Sequence, residues 1–434
     1  MNYVLLLYLL SISSGALYVG KTLTKAPNTK YSSEKKKFRI ASLRYNSTYA
    51  FIDPLIDTIN NVEGLASFYQ KLFELRNGDI QRVSVVQIGD SHIQPDLISR
   101  EVRTGLQDFF GNAGRGLVFP YQVARTNGPL DIKSVASTRW QNTKISQARS
   151  PFSAGLTGFS LSGLYGRNEL HLTLKPDVSA QQQSFDHVKL FVSKGPWQLS
   201  TINGKSAIGQ TTTVADGDFE TREFNLGSSV NEVTISAEKT KAYFFGASLE
   251  KKNVPGVLLH TIGVNGARYE QYNKEPLFWK QLPKLQADLY ILSMGTNEAF
   301  YNDMTEEVYI NHVAETIAKI KTINPNAAVL LTTTAESFKK GTRNPMIERL
   351  NLALRYYSGR LGIPLWDLYE ITGGVGSSNE WLKNNLLQTD KIHYQQKAYS
   401  IQGALLFDAL ANGYNRYLDN QHIVDAHLAK TADR

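Results

Sequence analysis

Arg82-Val-Ser-Val-Val-Gln-Ile-Gly-Asp-Ser-His-Ile-Gln94 is the stretch around which the rest of the chain is organised. Its first half is apolar and β-branched, as a strand buried on both faces of a parallel sheet must be. Gly89 ends the run, and the polar triplet Asp90-Ser91-His92 follows. Ligands of open α/β sheets sit at the carboxyl ends of the strands. From Pro95 the pattern turns helical, with Leu97, Ile98, Val102 and Leu106 on one face and Gly111 as the stop. Ser91 is therefore expected on a strand–turn–helix corner, near the positive end of a helix, where a hydroxyl nucleophile is useful. Gly, Asp and Ser are also ordinary turn formers, so this stretch alone does not establish chemistry.

The chain has 434 residues, more than one ordinary core holds, which implies two domains or one with a large insertion. A charged fraction of 20% against 42% hydrophobic residues excludes a disordered chain. The net charge of +8 favours an anionic partner such as an acidic glycan or a membrane surface. No nucleic-acid motif accompanies that charge, so no nucleic-acid partner is expected. There is no cysteine, which removes disulfides, thiolate catalysis and cysteine zinc sites together. His, Asp and Glu do not assemble into ligand spacing either, so no metal and no cofactor are expected.

Residues 1–20 are an uncharged apolar segment ending in small residues, with Ser14-Gly15-Ala16 as the candidate cleavage site. They read as a signal peptide or a membrane anchor, and so as export and association with a membrane through the N-terminus. Against that reading, positive charge follows the apolar run instead of preceding it. Residues 21–60 are polar and basic and are expected to form a tether. A helix is expected over 64–75.

Residues 61–116 then carry the first α/β segment. Across 117–250 the periodicity changes to alternation, as in His187-Val-Lys-Leu-Phe-Val and Glu232-Val-Thr-Ile-Ser, broken by turn clusters such as Asn203-Gly and Asp216-Gly-Asp. That spacing predicts an all-β sandwich inserted between two α/β segments. The α/β pattern resumes over 251–434. Strands are expected at 256–263, 287–293, 328–333 and 363–367, and helices around 267–282, 305–322, 344–361 and 394–411. Alternating strands and helices predict a parallel sheet with helices on both faces.

Three further polar clusters fall after expected strands or in the last loop: Gly263-Val-Asn-Gly266, Gly295-Thr-Asn297-Glu298 and Asp390-Lys-Ile-His393. Acyl transfer needs a hydroxyl, a base, an acid to hold the base, and donors for the oxyanion. Ser91 is the candidate nucleophile, His393 the base, and Asp390 its partner three residues earlier on one turn. The Ser91 and Gly266 backbone N–H groups and the Asn297 amide are the candidate oxyanion donors. Each of the other polar residues has a bland reading beside a functional one. His92 and His260 read as hydrogen-bonding residues near the site, and His171 and His187 lie on β patterns. Asp367 is a second candidate partner for a histidine. Arg115 and Arg268 read as substrate-carboxylate contacts or as ordinary ion pairs, and Trp140 and Trp197 as sugar-stacking surfaces or core.

The four blocks, in this order, resemble the SGNH/GDSL hydrolase superfamily, with Gly89-Asp90-Ser91, Gly266, Gly295-Thr-Asn297-Glu298 and Asp390-x-x-His393 carrying the match. Glu298 departs from the usual Asp of the third block. Gly-Asp-Ser-His-Ile-Gln94, Phe110-Gly-Asn-Ala-Gly-Arg-Gly116, the β insertion and His260-Thr-Ile-Gly-Val-Asn-Gly-Ala267 look like the peptidoglycan O-acetylesterase group of that superfamily. The resemblance spans roughly residues 64–411. It implies an SGNH-type α/β fold with a carbohydrate-binding-like β module over 117–250. It also implies a serine esterase acting on an acetylated glycan, peptidoglycan first, in the periplasm or cell envelope. An O-acetyltransferase, an esterase for another polysaccharide and a non-catalytic glycan-binding envelope protein remain the alternatives.

Overall fold

In the computed structural model, residues 36–432 are described, apart from 42, 47, 48, 149, 177–182 and 202–211. The expected leader or anchor at 1–20, the start of the tether and the turn at Asn203-Gly204 lie outside the described residues. Among the described residues no helix is long and apolar enough to cross a membrane.

Arg82–Gly89 forms the expected strand, buried from Val83 onward. Its side chains alternate between two cores: Val83 and Val85 join one, Val86 and Ile88 the other. Gly256–Gly263 pairs with it in parallel on one side and Leu289–Ser293 on the other. Ala328–Thr332 and Leu365–Trp366 extend the parallel sheet beyond Leu289–Ser293. Taken in chain order, the five strands stand 2-1-3-4-5 across the sheet. The connections leave Arg82–Gly89 in opposite directions, so a crevice opens at its carboxyl end, the place where such sheets bind ligands. Ser91 follows that end directly.

Helices Ala66–Asn77, Leu97–Phe110 and Gln396–Ala432 cover one face, and Glu306–Ile323 and Pro345–Leu361 the other. The α/β fold class expected from the sequence is borne out. So is the inserted β architecture. A seven-stranded antiparallel sheet is built around Phe185–Ser193, Phe219–Val230 and Tyr243–Glu250. A four-stranded one is built around Asn168–Leu174 and Glu232–Ala237. The insertion is not separately cored. Phe119, Phe159 and Leu161 share one apolar cluster with Val86, Ile88 and Leu292 of the parallel sheet. The strand Gly114–Val118 leads into the insertion and pairs with Tyr243–Glu250, which leads out.

Four local expectations change. The tether ends early: Ile40, Ile52 and Ile59 are buried, and the Arg44 and Tyr45 backbone N–H groups donate to Asp408 at 2.6 and 2.7 Å. Ile59–Asn60 adds an antiparallel edge strand against Leu365–Trp366. Widely spaced apolar anchors carry no periodicity, which is why that stretch reads as a linker. The expected helix at 267–282 is three short pieces, Tyr269–Asn273, Pro276–Gln281 and Leu282–Leu285, cut where Pro276 and Pro283 lack an N–H. The closing helix runs on to Ala432 through Gly413. That glycine makes room for a ring, because a Cβ there would lie 2.1 Å from the Tyr69 hydroxyl. The helix after Ser91 starts at Leu97, since Asp96 takes a left-handed φ of 63°.

Candidate active site

Gly89 lets the chain leave the sheet sharply. A Cβ on it would lie 2.3 Å from Ile93 Cγ1 and 2.7 Å from the Ser293 carbonyl. The Asp90 carbonyl then accepts the N–H groups of Ile93 and Gln94 at 3.2 and 3.0 Å, making a tight turn that holds Ser91. This turn separates Ser91 from the Leu97 helix, so the expected nearness to a helix end is not what positions the hydroxyl. Its partner does so: Ser91 Oγ lies 2.8 Å from His393 Nε2.

His393 Nδ1 lies 2.7 Å from Asp390 Oδ2. The Asp390–His393 segment is a turn closed by a bridge between Leu387 and Tyr394, not the first turn of the closing helix, which begins at Gln396. Asp390 Oδ1 accepts the N–H groups of Ile392 and His393, both at 2.9 Å. Partial burial pushes the Asp390 carboxyl up. The hydrogen bonds from His393 and from the two backbone N–H groups outweigh it and hold the group below the usual range. An ionised Asp390 fixes the proton on Nδ1, which leaves Nε2 free to accept from Ser91.

The oxyanion candidates are at the same place. Ser91, Gly266, Asn297, His393, Asn127 and Tyr399 line one cleft of about 490 Å³. Among the described residues no acceptor takes the Ser91 or the Gly266 backbone N–H. The Asn297 amide differs, since Nδ2 donates to Asp90 Oδ2 at 3.2 Å and to the Ala267 carbonyl at 3.0 Å. Both its hydrogens are engaged, so an oxyanion competes with Asp90 for one of them.

Under the cleft lie two buried acids. Burial raises Asp90 to about 7, with the His92 N–H and the nearby His393 opposing. Burial also raises Glu298 to about 7, the Tyr269 N–H opposing and Asp90 adding repulsion. His92 is lowered to about 3 by burial and by His393, so it is neutral at pH 7; its Nδ1 meets Tyr399 Oη at 2.9 Å. It has the supporting place expected of it.

The remaining candidates lie elsewhere. Arg115 is 4% exposed and pairs with Asp96 and Asp131, so it is not open to a substrate. Arg268 packs over the Tyr301 ring and pairs with Glu270. His260 is buried and accepts the Leu117 N–H. His171 and His187 bond Thr234 and Asn225. Trp140 and Trp197 are buried core residues, not stacking surfaces. Asp367 caps a short helix and pairs with Arg355. Sequence reasoning missed Asn127, which the insertion brings to the cleft, and the amide web it makes with Gln94 and Asn265. Nothing in the local pattern around Asn127 signals this.

Residues 226–401 match the family model of the GDSL-like lipase/acylhydrolase family. The match holds Gly266, Asn297, Asp390 and His393 and starts inside the insertion, which sets Ser91 apart from it in sequence. Among solved structures, one described as a peptidoglycan O-acetylesterase in action superposes with a TM-score of 0.68. It is 24% identical, over 81% of this chain and 97% of that one. A lipase/acylhydrolase from Enterococcus faecalis is 22% identical over 36% of this chain and 77% of its own, with a TM-score of 0.29. A GDSL-like lipase from Bacteroides thetaiotaomicron is 18% identical over 35% and 73%, with a TM-score of 0.27. No curated protein matches the sequence. The family match covers most of the second α/β segment, and the chain is similar there to GDSL-like acylhydrolases. The fold is shared with the O-acetylesterase structure over 81% of this chain.

Proposed function

We propose that this chain is a serine esterase that removes O-acetyl groups from a cell-envelope carbohydrate, peptidoglycan first. The observation that carries the reading is the hydrogen-bonded line from Ser91 Oγ through His393 to Asp390, beside two backbone N–H groups that no acceptor takes among the described residues. The substrate class is drawn from the O-acetylesterase that shares the fold over most of both chains.

Ser91 Oγ attacks the acetyl carbonyl while His393 Nε2 takes its proton. The Asp390 carboxylate stabilises the imidazolium that forms. The oxyanion accepts from the Ser91 and Gly266 N–H groups, and from Asn297 once Asp90 releases one of its hydrogens. His393 then protonates the departing sugar oxygen, leaving an acetyl ester on Ser91. A water molecule, deprotonated by His393, cleaves that ester to acetate and free Ser91. With a sugar hydroxyl in place of that water the same intermediate gives acetyl transfer. The reaction belongs in the envelope, in keeping with the export expected from residues 1–20.

The test is acetate release from O-acetylated peptidoglycan and from an aryl acetate. Ser91→Ala is expected to retain glycan binding and lose release from both. Acetate release near the wild-type rate by Ser91→Ala would remove the assignment. Acetyl transfer to a glycan acceptor in place of free acetate would redirect it.

A further inference from the structure

The Gly266 N–H sits in a four-residue turn, Val264–Ala267, closed by the Ala267 N–H donating to the Val264 carbonyl at 3.0 Å. Gly266 has a φ of 79°. That is the third residue of a type II turn, which wants a φ of about +80° there. Types I and II differ by a flip of the central peptide, here the one joining Asn265 to Gly266. Glycine permits both forms at little steric cost. The peptide is planar and trans, so its C=O and N–H point in opposite directions. Whatever holds the Asn265 carbonyl therefore decides where the Gly266 N–H points.

The group that holds it comes from the insertion. Ser146, on the turn after the Trp140–Lys144 strand, donates Oγ–H to the Asn265 carbonyl at 2.7 Å. Lys144 Nζ lies 3.5 Å from the same oxygen. The hydroxyl lies over Gly266 as well, 3.8 Å from where a Cβ would stand. The other groups of Asn265 are held separately. Its N–H donates to Gln94 Oε1 at 2.6 Å and its amide to Asn127 Oδ1 at 2.6 Å. Those bonds fix the residue but not the peptide that follows it. Among the described residues the flip is resisted by the donors on the carbonyl, Ser146 Oγ at 2.7 Å and the longer Lys144 Nζ at 3.5 Å.

We infer that Ser146 of the inserted β module is a positioning residue for the reaction. It locks the Asn265–Gly266 peptide so that the Gly266 N–H faces the oxyanion, and so the insertion completes the oxyanion hole. This rests on the esterase reading above. A donor hydrogen bond to the carbonyl also polarises the peptide, making the N–H on the far side a stronger donor.

The test is steady-state kinetics on a small aryl acetate, which has no glycan for the insertion to grip. Variants Ser146→Ala and Ser146→Thr are compared with wild type and Ser91→Ala. Losing one oxyanion donor outright costs about 10²–10³-fold in kcat. Ser146→Ala leaves the donor present but unlocked, so a fall of roughly tenfold or more in kcat is expected. KM, the pH profile and the thermal midpoint should stay in place, and Ser146→Thr, which keeps the hydroxyl, should recover most of the rate. Wild-type kcat in Ser146→Ala, with Ser91→Ala inactive, overturns the inference and leaves the esterase reading standing. Equal losses in the Ala and Thr variants, with a lowered midpoint, also overturn it, because they mark a packing role. Activity in Ser91→Ala overturns the esterase reading itself.

Discussion

Replacing Glu298 by Gln should make the protein more stable at alkaline pH and no different at acid pH. Glu298 is fully buried; Oε1 accepts the Tyr269 N–H at 2.8 Å, and among the described residues Oε2 has no partner. Burial, helped by Asp90, carries its pKa from 4.5 to about 7. Between those values the folded chain holds a proton that the unfolded chain has released, so stability falls as pH rises. At 1.36 kcal/mol per pH unit, that interval is worth about 3 kcal/mol, lost in full only above pH 7. Gln mimics the protonated acid, keeps the bond to Tyr269 and has no proton to lose. Urea denaturation followed by the fluorescence of the five Trp residues, from pH 5 to pH 8, reads the difference. Near pH 5 the two proteins should be close. By pH 8 the variant should be ahead by about 3 kcal/mol. Asp90, raised to about 7 as well, remains in both and leaves the variant a residual slope. A difference between the proteins that stays constant across this range would refute the reasoning.

Asp390→Asn should leave the fold intact by circular dichroism and lower kcat on an aryl acetate by about 10³–10⁴-fold, since the amide favours the wrong imidazole tautomer. A rate within a few-fold of wild type would count against Asp390 as the partner of His393. Arg115→Met takes the guanidinium from buried Asp131, while Asp96 keeps its pair with Arg103, and should cost about 3–5 kcal/mol in urea denaturation. An unchanged midpoint would mean that Asp131 finds another partner. Gly263→Ala puts a Cβ 2.2 Å from the Gln94 backbone nitrogen. It should displace the turn behind Ser91, costing about 1–3 kcal/mol and most of the activity, and an active, stable variant would show that this contact relaxes freely.

The helices over 306–323 and 345–361 were legible because each has a long apolar stripe and a start signal, Thr305 and Asn344 serving as N-caps. The strand Arg82–Gly89 was legible because burial on both faces makes a continuous apolar run. The packing of residues 37–60 was not, since it rests on scattered anchors such as Ile40 and on bonds to Asp408 and Asn415 far along the chain. Nor was the fate of Asn297, because its amide's acceptors, Asp90 and the Ala267 carbonyl, come from two other segments.

The sequence by itself determined the strand, the break at Gly89, and which residue types could do acyl chemistry. Those are local matters of side-chain shape, backbone freedom and short-range spacing. The tertiary structure alone decided that the Ser91 turn stands where the strand order reverses. It also decided that His393 reaches Ser91 Oγ across 302 positions of sequence, and that the inserted module places Asn127 at the same cleft and Ser146 on the carbonyl of Asn265, which lines it. Such contacts arise from how strands and loops pack at long range. Each participating side chain reads as an ordinary polar residue until that packing gives it a neighbour.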